Sequence, residues 1–126
     1  DKKQIVAWVG DGFALIDAKC VDLVELFNQI GLKTEFSCCG HRKGNFEIIF
    51  DKCVTDSDVH TLLDHISSGH DHTPLAGSFM KWTRYVDGIM CGNWVYQTQE
   101  WAYRCAKVDN EFLSNFFNVA YAEENQ

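Results

Sequence analysis

Three stretches of the chain repeat apolar residues every three or four positions, which is the spacing of an amphipathic helix. The first begins after Asp17, a suitable N-cap, and ends at Ile30, where Gly31 favours the left-handed conformation that stops a helix. The second begins after Thr55, and the third begins after Asp109. The pattern therefore predicts three helices, each introduced by a polar capping residue.

Alternation of apolar and polar residues with a period of two predicts strands around these helices. The predicted strands are 4–10, 33–39, 46–51, 79–86, 89–97 and 101–105. Asp87-Gly88 is the signal for a two-residue hairpin turn between two of them. Residues 40–45 form a polar hairpin tip between two others.

The same alternation assigns side chains to faces of the strands. In the second strand it places Thr34 and Phe36 on one face and Glu35 on the other. In the 79–86 strand it places one set of side chains on one face, namely Met80, Trp82, Arg84 and Val86, and the other set on the opposite face, namely Phe79, Lys81, Thr83 and Tyr85. In the 89–97 strand it places Cys91, Asn93 and Val95 on one face, and Met90, Trp94 and Tyr96 on the other.

The order of these elements indicates the fold class. The first six read strand, helix, strand, strand, helix, strand, which matches the ferredoxin-like arrangement. We therefore expect an α+β fold with a ferredoxin-like βαββαβ start, extended by an antiparallel meander and a C-terminal helix. The 126 residues contain no linker-like tract, so residues 1–126 are expected to form a single domain.

Composition and charge narrow the classes of partner. A hydrophobic share of 46% supports an ordinary core, and no apolar run reaches the length of about 18 residues that a membrane span needs. The formal charge of −7 disfavours long nucleic acids, which attract clustered Lys and Arg. A small phosphorylated ligand needs few positive groups and is compatible with it. We expect a cytoplasmic protein that binds neither a membrane nor a long nucleic acid.

Cysteine and histidine residues raise two chemical alternatives. Five of them are plausible zinc ligands: Cys38, Cys39, His41, His70 and His72. Their spacings do not form the matched pairs typical of structural zinc sites. Cys39 near His41 is a candidate thiolate nucleophile, but the sequence offers no third residue to orient the pair. We therefore expect a binding protein rather than an enzyme, with no catalytic residue, no metal and no cofactor.

Large aromatic residues and polar donors crowd the last predicted strands. The aromatic members are Trp82, Tyr85, Trp94, Tyr96, Trp101 and Tyr103. Aromatic rings stack on nucleobases and guanidinium groups hold phosphates, but the same residues also build cores and protein interfaces. A ligand pocket and a core or protein interface are therefore both open interpretations of these residues. The large number of aromatic rings also predicts self-association. The predicted ligand-binding residues are Trp82, Arg84, Asn93, Trp94, Trp101 and Arg104, with His41 and Arg42 at the rim of the pocket.

The segment from Gly31 to His41, GLKTEFSCCGH, followed by Phe46–Phe50, resembles a module of many small phage-encoded proteins. In that module a helix ends in G-x-x-T-x-x-S-C-x-G-H before an aromatic-flanked strand. A similar Ser-Cys-x-Gly segment occurs in the wybutosine-synthesis methyltransferase family of tRNA modification. That second family implies a basic RNA-binding face and a cofactor motif, and its Arg after the segment is His41 here.

The size, acidity, order of elements and the aromatic, Asn and Arg residues of the strands resemble those of type-one anti-Thoeris proteins. This resemblance implies an oligomer that sequesters a cyclic ADP-ribose-type immune signal without cleaving it. It also implies that Trp82 stacks on the ligand, that Asn93 contacts its base or ribose, and that Arg104 contacts a phosphate.

Two functions are therefore expected from the sequence. The first is a phage-type anti-defence protein that acts as a homo-oligomer (a dimer or higher) and sequesters a small cyclic nucleotide. The alternative is an acidic, protein-binding inhibitor of a host or defence nucleic-acid enzyme. The carboxylates of that inhibitor would be Glu100, Asp109, Glu111, Glu123 and Glu124.

Overall fold

The computed structural model describes residues 4–9, 12–38, 40, 44–99 and 102–119. The strands are β1 (Gln4–Trp8), β2 (Phe13–Asp17), β3 (Thr34–Cys38), β4 (Phe46–Phe50), β5 (Ser78–Val86) and β6 (Ile89–Thr98). The helices are α1 (Val21–Gln29), α2 (Asp56–Ser67) and α3 (Ala102–Phe117), and a turn of 3₁₀ helix, Ala18–Cys20, leads into α1. None of the helices in the described ranges has the length and apolar character of a membrane span.

The strands form two antiparallel sheets. β1 and β2 pair with each other as a hairpin, and the other four strands lie in the order β3-β4-β6-β5. The helices pack on one face of the four-stranded sheet, where Phe46, Ile48 and Phe50 of β4 are buried together with Tyr96 of β6. Phe27 of α1 lies in this core, with its ring centroid 5.0 Å from that of Phe50. In the described part of the chain, the opposite face of the sheet carries no helix.

The predicted fold class agrees with this architecture. The α+β class, the antiparallel pair of strands after α2 and the C-terminal helix are confirmed. One additional strand, β2, follows the first, and β1 pairs with it instead of entering the four-stranded sheet as a ferredoxin-like strand would. Neighbouring strands joined by a short connection usually pair with each other, which accounts for this difference.

The predicted strand at 101–105 and the predicted N-cap at Asp109 are wrong where the structure describes them. Residues 103–109 lie inside α3. The fully buried positions of this helix include Asp109 and Leu113, with Ala106 almost as buried, and these three recur at helical spacing. A charged residue in the middle of the buried stripe hides the helical pattern in the sequence.

The structure confirms the helix cap, the helix stop and the hairpin turn that were predicted from neighbouring residues. Thr55 caps α2 through a capping box, in which its hydroxyl accepts the backbone N–H of Asp58 at 3.1 Å. Gly31 has a φ of 95° after α1, and Asp87 and Gly88 both have positive φ in the turn between β5 and β6. Neighbours in the sequence set these angles and bonds, so the pattern alone predicts them.

A β-bulge interrupts β3 between Thr34 and Phe36. Thr34 pairs with Phe50 whereas Phe36 pairs with the adjacent Ile49. Thr34 is buried against α1, where its backbone N–H and its hydroxyl both bond the side chain of buried Asn28. Phe36 is 56% exposed and lies on the face away from the helices. The prediction that Thr34 and Phe36 share a face is therefore wrong, because the bulge reverses the alternation between them.

Candidate ligand-binding site

The sheet face opposite the helices carries three of the residues predicted to bind a ligand. Tyr96 of β6 is buried beneath the helices, and its cross-strand partner is Phe79 of β5. Because side chains alternate along a strand, Trp82, Arg84 and Asn93 lie on the opposite face. The alternation predicted for these two strands is therefore confirmed.

These three side chains line one cleft of about 520 Å³, which we call the open-face cleft. Its other lining residues are Glu35, Ile49 and Thr83. Small-ligand sites typically measure roughly 300–1,000 Å³, so the cleft has room for a nucleotide-sized molecule. Its walls combine an aromatic ring, a cation, an amide and a carboxylate, which are groups suited to a base, a phosphate and a sugar.

Asn93 is fixed in this cleft by the end of a neighbouring strand. The backbone pairing between β4 and β6 runs as far as Ile49 and Val95. Beyond that point, the side-chain Nδ2 of Asn93 donates to the backbone carbonyl of Phe50 at 2.8 Å. This bond uses one of the two N–H groups of the amide and leaves its other hydrogen-bonding capacity for a ligand.

Gly92 allows β5 and β6 to approach closely beside Trp82. A Cβ at Gly92 would lie 2.9 Å from the backbone oxygen of Trp82 and 3.2 Å from the side chain of Thr83. Any larger residue therefore forces the two strands apart at the position that presents the indole.

Glu35 and Ile49 line the cleft but are absent from the set predicted from the sequence. Glu35 reaches the cleft next to the bulge of β3, and bulges often redirect side chains in this way. Nothing in the local sequence of β3 marks that bulge. Ile49 did carry a signal, because it is an apolar residue on the otherwise polar face of β4.

Trp94 lies across the sheet from the open-face cleft. Its Nε1 donates to Oδ1 of Asp56 at 2.8 Å, and Nζ of Lys81 donates to the same oxygen at 2.7 Å. The hydrogen bonds from Lys81 and then from Trp94 hold the pKa of Asp56 below its ordinary value. Trp94 lines a separate cleft of about 440 Å³ beside α2. Trp94 therefore lies on the opposite face of the sheet from Asn93 and its cross-strand partner Trp82, because adjacent residues of a strand face opposite ways.

Arg104 is also separated from the cleft. It is exposed on α3, which packs on the helix-bearing face of the sheet, and not on a strand beside the aromatic residues as predicted. The other predicted binding residues, Trp101, His41 and Arg42, lie outside the described residues. The structure therefore brings together three predicted residues and adds three others to them.

Two alternative chemistries were expected from the cysteine and histidine residues of the sequence. The described residues contain no group of three or more His, Cys, Asp or Glu side chains arranged to hold a metal ion. His70 and His72 have ring centroids 6.3 Å apart, and Nδ1 of His72 lies 3.1 Å from Oδ1 of Asp71 in an exposed loop. Cys39 and His41, the candidate nucleophile and its base, lie outside the described residues.

Comparison with models of known protein families finds a match over most of the chain. A family model described as YoqC prophage protein matches residues 7–124, which covers every described element except the start of β1. No curated protein and no solved structure matches the chain.

Proposed function

This chain belongs to the YoqC prophage protein family, and from that premise we propose that it binds a small cyclic nucleotide of the cyclic ADP-ribose type and sequesters it intact. A prophage origin is compatible with the anti-defence role expected from the sequence. Acting in the cytosol of the host cell, the protein would lower the concentration of an immune signal by binding it.

One observation supports this proposal most directly, namely that Trp82, Arg84 and Asn93 line one cleft on the open sheet face. The indole of Trp82 stacks on the base, because base–aromatic stacking tolerates any base and contributes about 1–3 kcal/mol. The guanidinium of Arg84 pairs with a phosphate oxygen in a charge-assisted hydrogen bond. The amide of Asn93 bonds an edge of the base or a ribose oxygen.

Glu35 provides the group that favours a nucleotide over a simple phosphate. A carboxylate accepts hydrogen bonds and repels phosphate, so its natural partners in a nucleotide are the ribose hydroxyls or the amino group of adenine. With Arg84 in the same cleft, the lining carries one negative and one positive side chain. A ligand with a sugar at one end and a phosphate at the other matches that pair.

The residues of the cleft also support binding without cleavage. General acid–base catalysis needs a pair of titratable groups, and nucleophilic catalysis needs an activated nucleophile beside its base. The side chains that the described lining residues present on the open face include one carboxylate and one guanidinium, and neither a thiol nor an imidazole. This composition suits retention of a ligand, so the proposal is a binding protein and not an enzyme.

A capture assay tests the proposal. The protein is incubated with cyclic ADP-ribose isomers or cyclic dinucleotides, washed, and heated so that bound ligand is released and identified. Recovery of intact ligand supports sequestration. Recovery of a degraded product would show that the protein is an enzyme, and absence of retention for every nucleotide would refute nucleotide binding.

The acidic-inhibitor alternative loses one of its predicted surface carboxylates. Asp109 is fully buried within α3 and bonds backbone and tyrosine donors, so it is inaccessible to a partner protein. Glu111 is exposed on the same helix, and Glu100, Glu123 and Glu124 lie outside the described residues. The open-face cleft is therefore the better supported site.

A further inference from the structure

The two edges of the four-stranded sheet differ in how they are protected. β3 forms one edge, and it is short, with five residues, and bulged. β5 forms the other edge, and its nine residues, which include no proline, pair with β6 in one unbroken register. In the part of the chain that the structure describes, no strand pairs with the outer edge of β5. Short length and bulges prevent association at sheet edges, so β3 carries such protection and β5 does not.

The distal half of the β5–β6 hairpin lacks support from the rest of the sheet. β4 pairs with β6 only as far as Val95, so residues 81–94, which we call the arm, form a two-stranded ribbon. A two-stranded hairpin alone is marginally stable in water and exposes apolar side chains on both faces. The large exposed apolar residues of the arm are Trp82, Tyr85, Val86, Ile89 and Met90. The arm therefore has the composition of a ribbon that packs against further protein.

β5 is complementary to itself in one antiparallel register. When Trp82, the central residue of the strand, lies opposite the same residue of a second copy, Lys81 lies opposite Thr83 and Met80 lies opposite Arg84. No cation then faces a cation, although both positive residues of β5 take part. Lys81 is also neutralised within its own chain by Asp56 at 2.7 Å.

The same register keeps the faces of the two sheets aligned. Each pair joins two even-numbered or two odd-numbered positions, so the helix-free faces of both copies form one continuous surface. Directly opposite residues of antiparallel strands lie about 5 Å apart at their Cβ atoms. Trp82 of the partner subunit would therefore adjoin Trp82, and the partner's Met80 would adjoin Arg84, at the border of the open-face cleft.

We infer that β5 pairs with β5 of a second copy in the antiparallel register centred on Trp82, and that this pairing completes the open-face cleft. The dimer is closed and two-fold symmetric, because each copy offers the same edge to the other. Pairing of β5 with β3 of a second copy would instead extend without closing, and the bulge of β3 opposes it. The statement about the cleft rests on the proposed function, whereas the pairing itself does not.

Charge variants at Met80 test the register. Sedimentation velocity of the purified chain without any nucleotide should show a dimer. Met80→Lys places a cation opposite Arg84 of the partner subunit, and the symmetric interface contains this pair twice, so the dimer dissociation constant should rise about tenfold or more. Met80→Glu changes the same position to the opposite charge and should preserve or tighten the dimer. Circular dichroism of each variant checks that the monomer remains folded.

A double variant makes the test specific to the pairing. Met80→Lys combined with Arg84→Glu restores opposite charges across the interface and should recover the dimer that Met80→Lys alone weakens. Three results would overturn the inference: a wild-type monomer at all concentrations, equal weakening by Met80→Lys and Met80→Glu, or no recovery in the double variant. Nucleotide capture by wild-type protein is measured separately, so a dimer that retains no nucleotide refutes the proposed function alone. A monomer that retains nucleotide refutes this inference alone.

Discussion

The hydroxyl of Tyr96 donates to the buried carboxylate of Asp109 at 2.6 Å. The same carboxylate accepts the backbone N–H groups of Ala76 and Gly77, each at 2.7 Å. Tyr96 belongs to β6, Asp109 to α3, and the two backbone donors to the segment immediately before β5. One fully buried side chain thus joins the C-terminal helix to the base of the hairpin that carries Trp82 and Arg84.

Asp109→Asn should therefore destabilise the fold. An amide presents N–H donors to three groups that are themselves donors, so at least one buried donor loses its acceptor. We expect the free energy of unfolding to fall by about 2–3 kcal/mol, and by about 1–2 kcal/mol in Tyr96→Phe. Urea denaturation measures both. Glu111→Gln, an exposed change on the same helix, should stay within about 0.5 kcal/mol of wild type, and an equally small effect of Asp109→Asn would contradict the prediction.

Stability should also fall at alkaline pH through Tyr96. Burial, and then the negative charge of Asp109, raises the pKa of Tyr96 well above its ordinary value of 10.0. The unfolded chain releases this proton near pH 10.0 while the folded chain keeps it, so stability is intact below that pH and declines as the pH rises beyond it. Urea midpoints measured on both sides of pH 10.0 should show a smaller decline in Tyr96→Phe. Tyr85→Phe, the same chemical change at a 73% exposed site, is the control.

Gly92→Ala should disturb the open-face cleft through the backbone. Its new Cβ would lie 2.9 Å from the backbone oxygen of Trp82, so β6 must shift away from β5. We expect a loss of about 1–3 kcal/mol of stability and weaker nucleotide retention. Thermal unfolding and the capture assay measure the two effects. Gly12→Ala is the matched control, since nothing lies within 4 Å of its added Cβ, and equal behaviour of the two variants would show that the close approach is unimportant.

The sequence predicted those parts of the fold that neighbouring residues decide. The capping box of Thr55, the turn at Asp87-Gly88 and the face of Trp82 all follow from contacts or alternation within a few positions. Alternation within each strand also predicted Arg84 on the same face as Trp82, and Asn93 on the face opposite to Trp94.

The structural features that the sequence did not predict depend on contacts between residues that are distant in the sequence. Asp109 is tolerated in the buried face of a helix because its carboxylate accepts hydrogen bonds from Ala76, Gly77 and Tyr96. These donors are distant in the sequence, so the pattern of residues around Asp109 does not predict them. The bulge that brings Glu35 to the cleft follows Thr34, which the buried Asn28 of α1 holds. Bulges and buried polar contacts are therefore where the sequence pattern failed.

Glu35→Ala should change which sugar the cleft accepts. If the carboxylate binds a ribose hydroxyl, its loss should weaken binding of the ribose ligand about tenfold, the value of one hydrogen bond to a charged group. Affinity for the 2′-deoxy analogue should change little, because that ligand lacks a hydroxyl that Glu35 can bind. Isothermal titration of both ligands into wild type and variant measures the difference. Equal weakening for both ligands would assign Glu35 a role other than hydroxyl recognition.

Trp82 and Trp94 form a matched pair for testing which face binds the ligand. They occupy adjacent, paired strands but point to opposite faces, and each lines its own cleft. Trp82→Ala removes the stacking surface and should raise the nucleotide dissociation constant about 5- to 150-fold, since stacking contributes about 1–3 kcal/mol per base. Trp94→Ala removes an indole of the same size and the bond to Asp56, yet should leave the affinity within about threefold of wild type. Ligand-induced quenching of indole fluorescence should likewise persist in Trp94→Ala and be lost in Trp82→Ala. The reverse result would move the site to the cleft beside α2, which Trp94 lines.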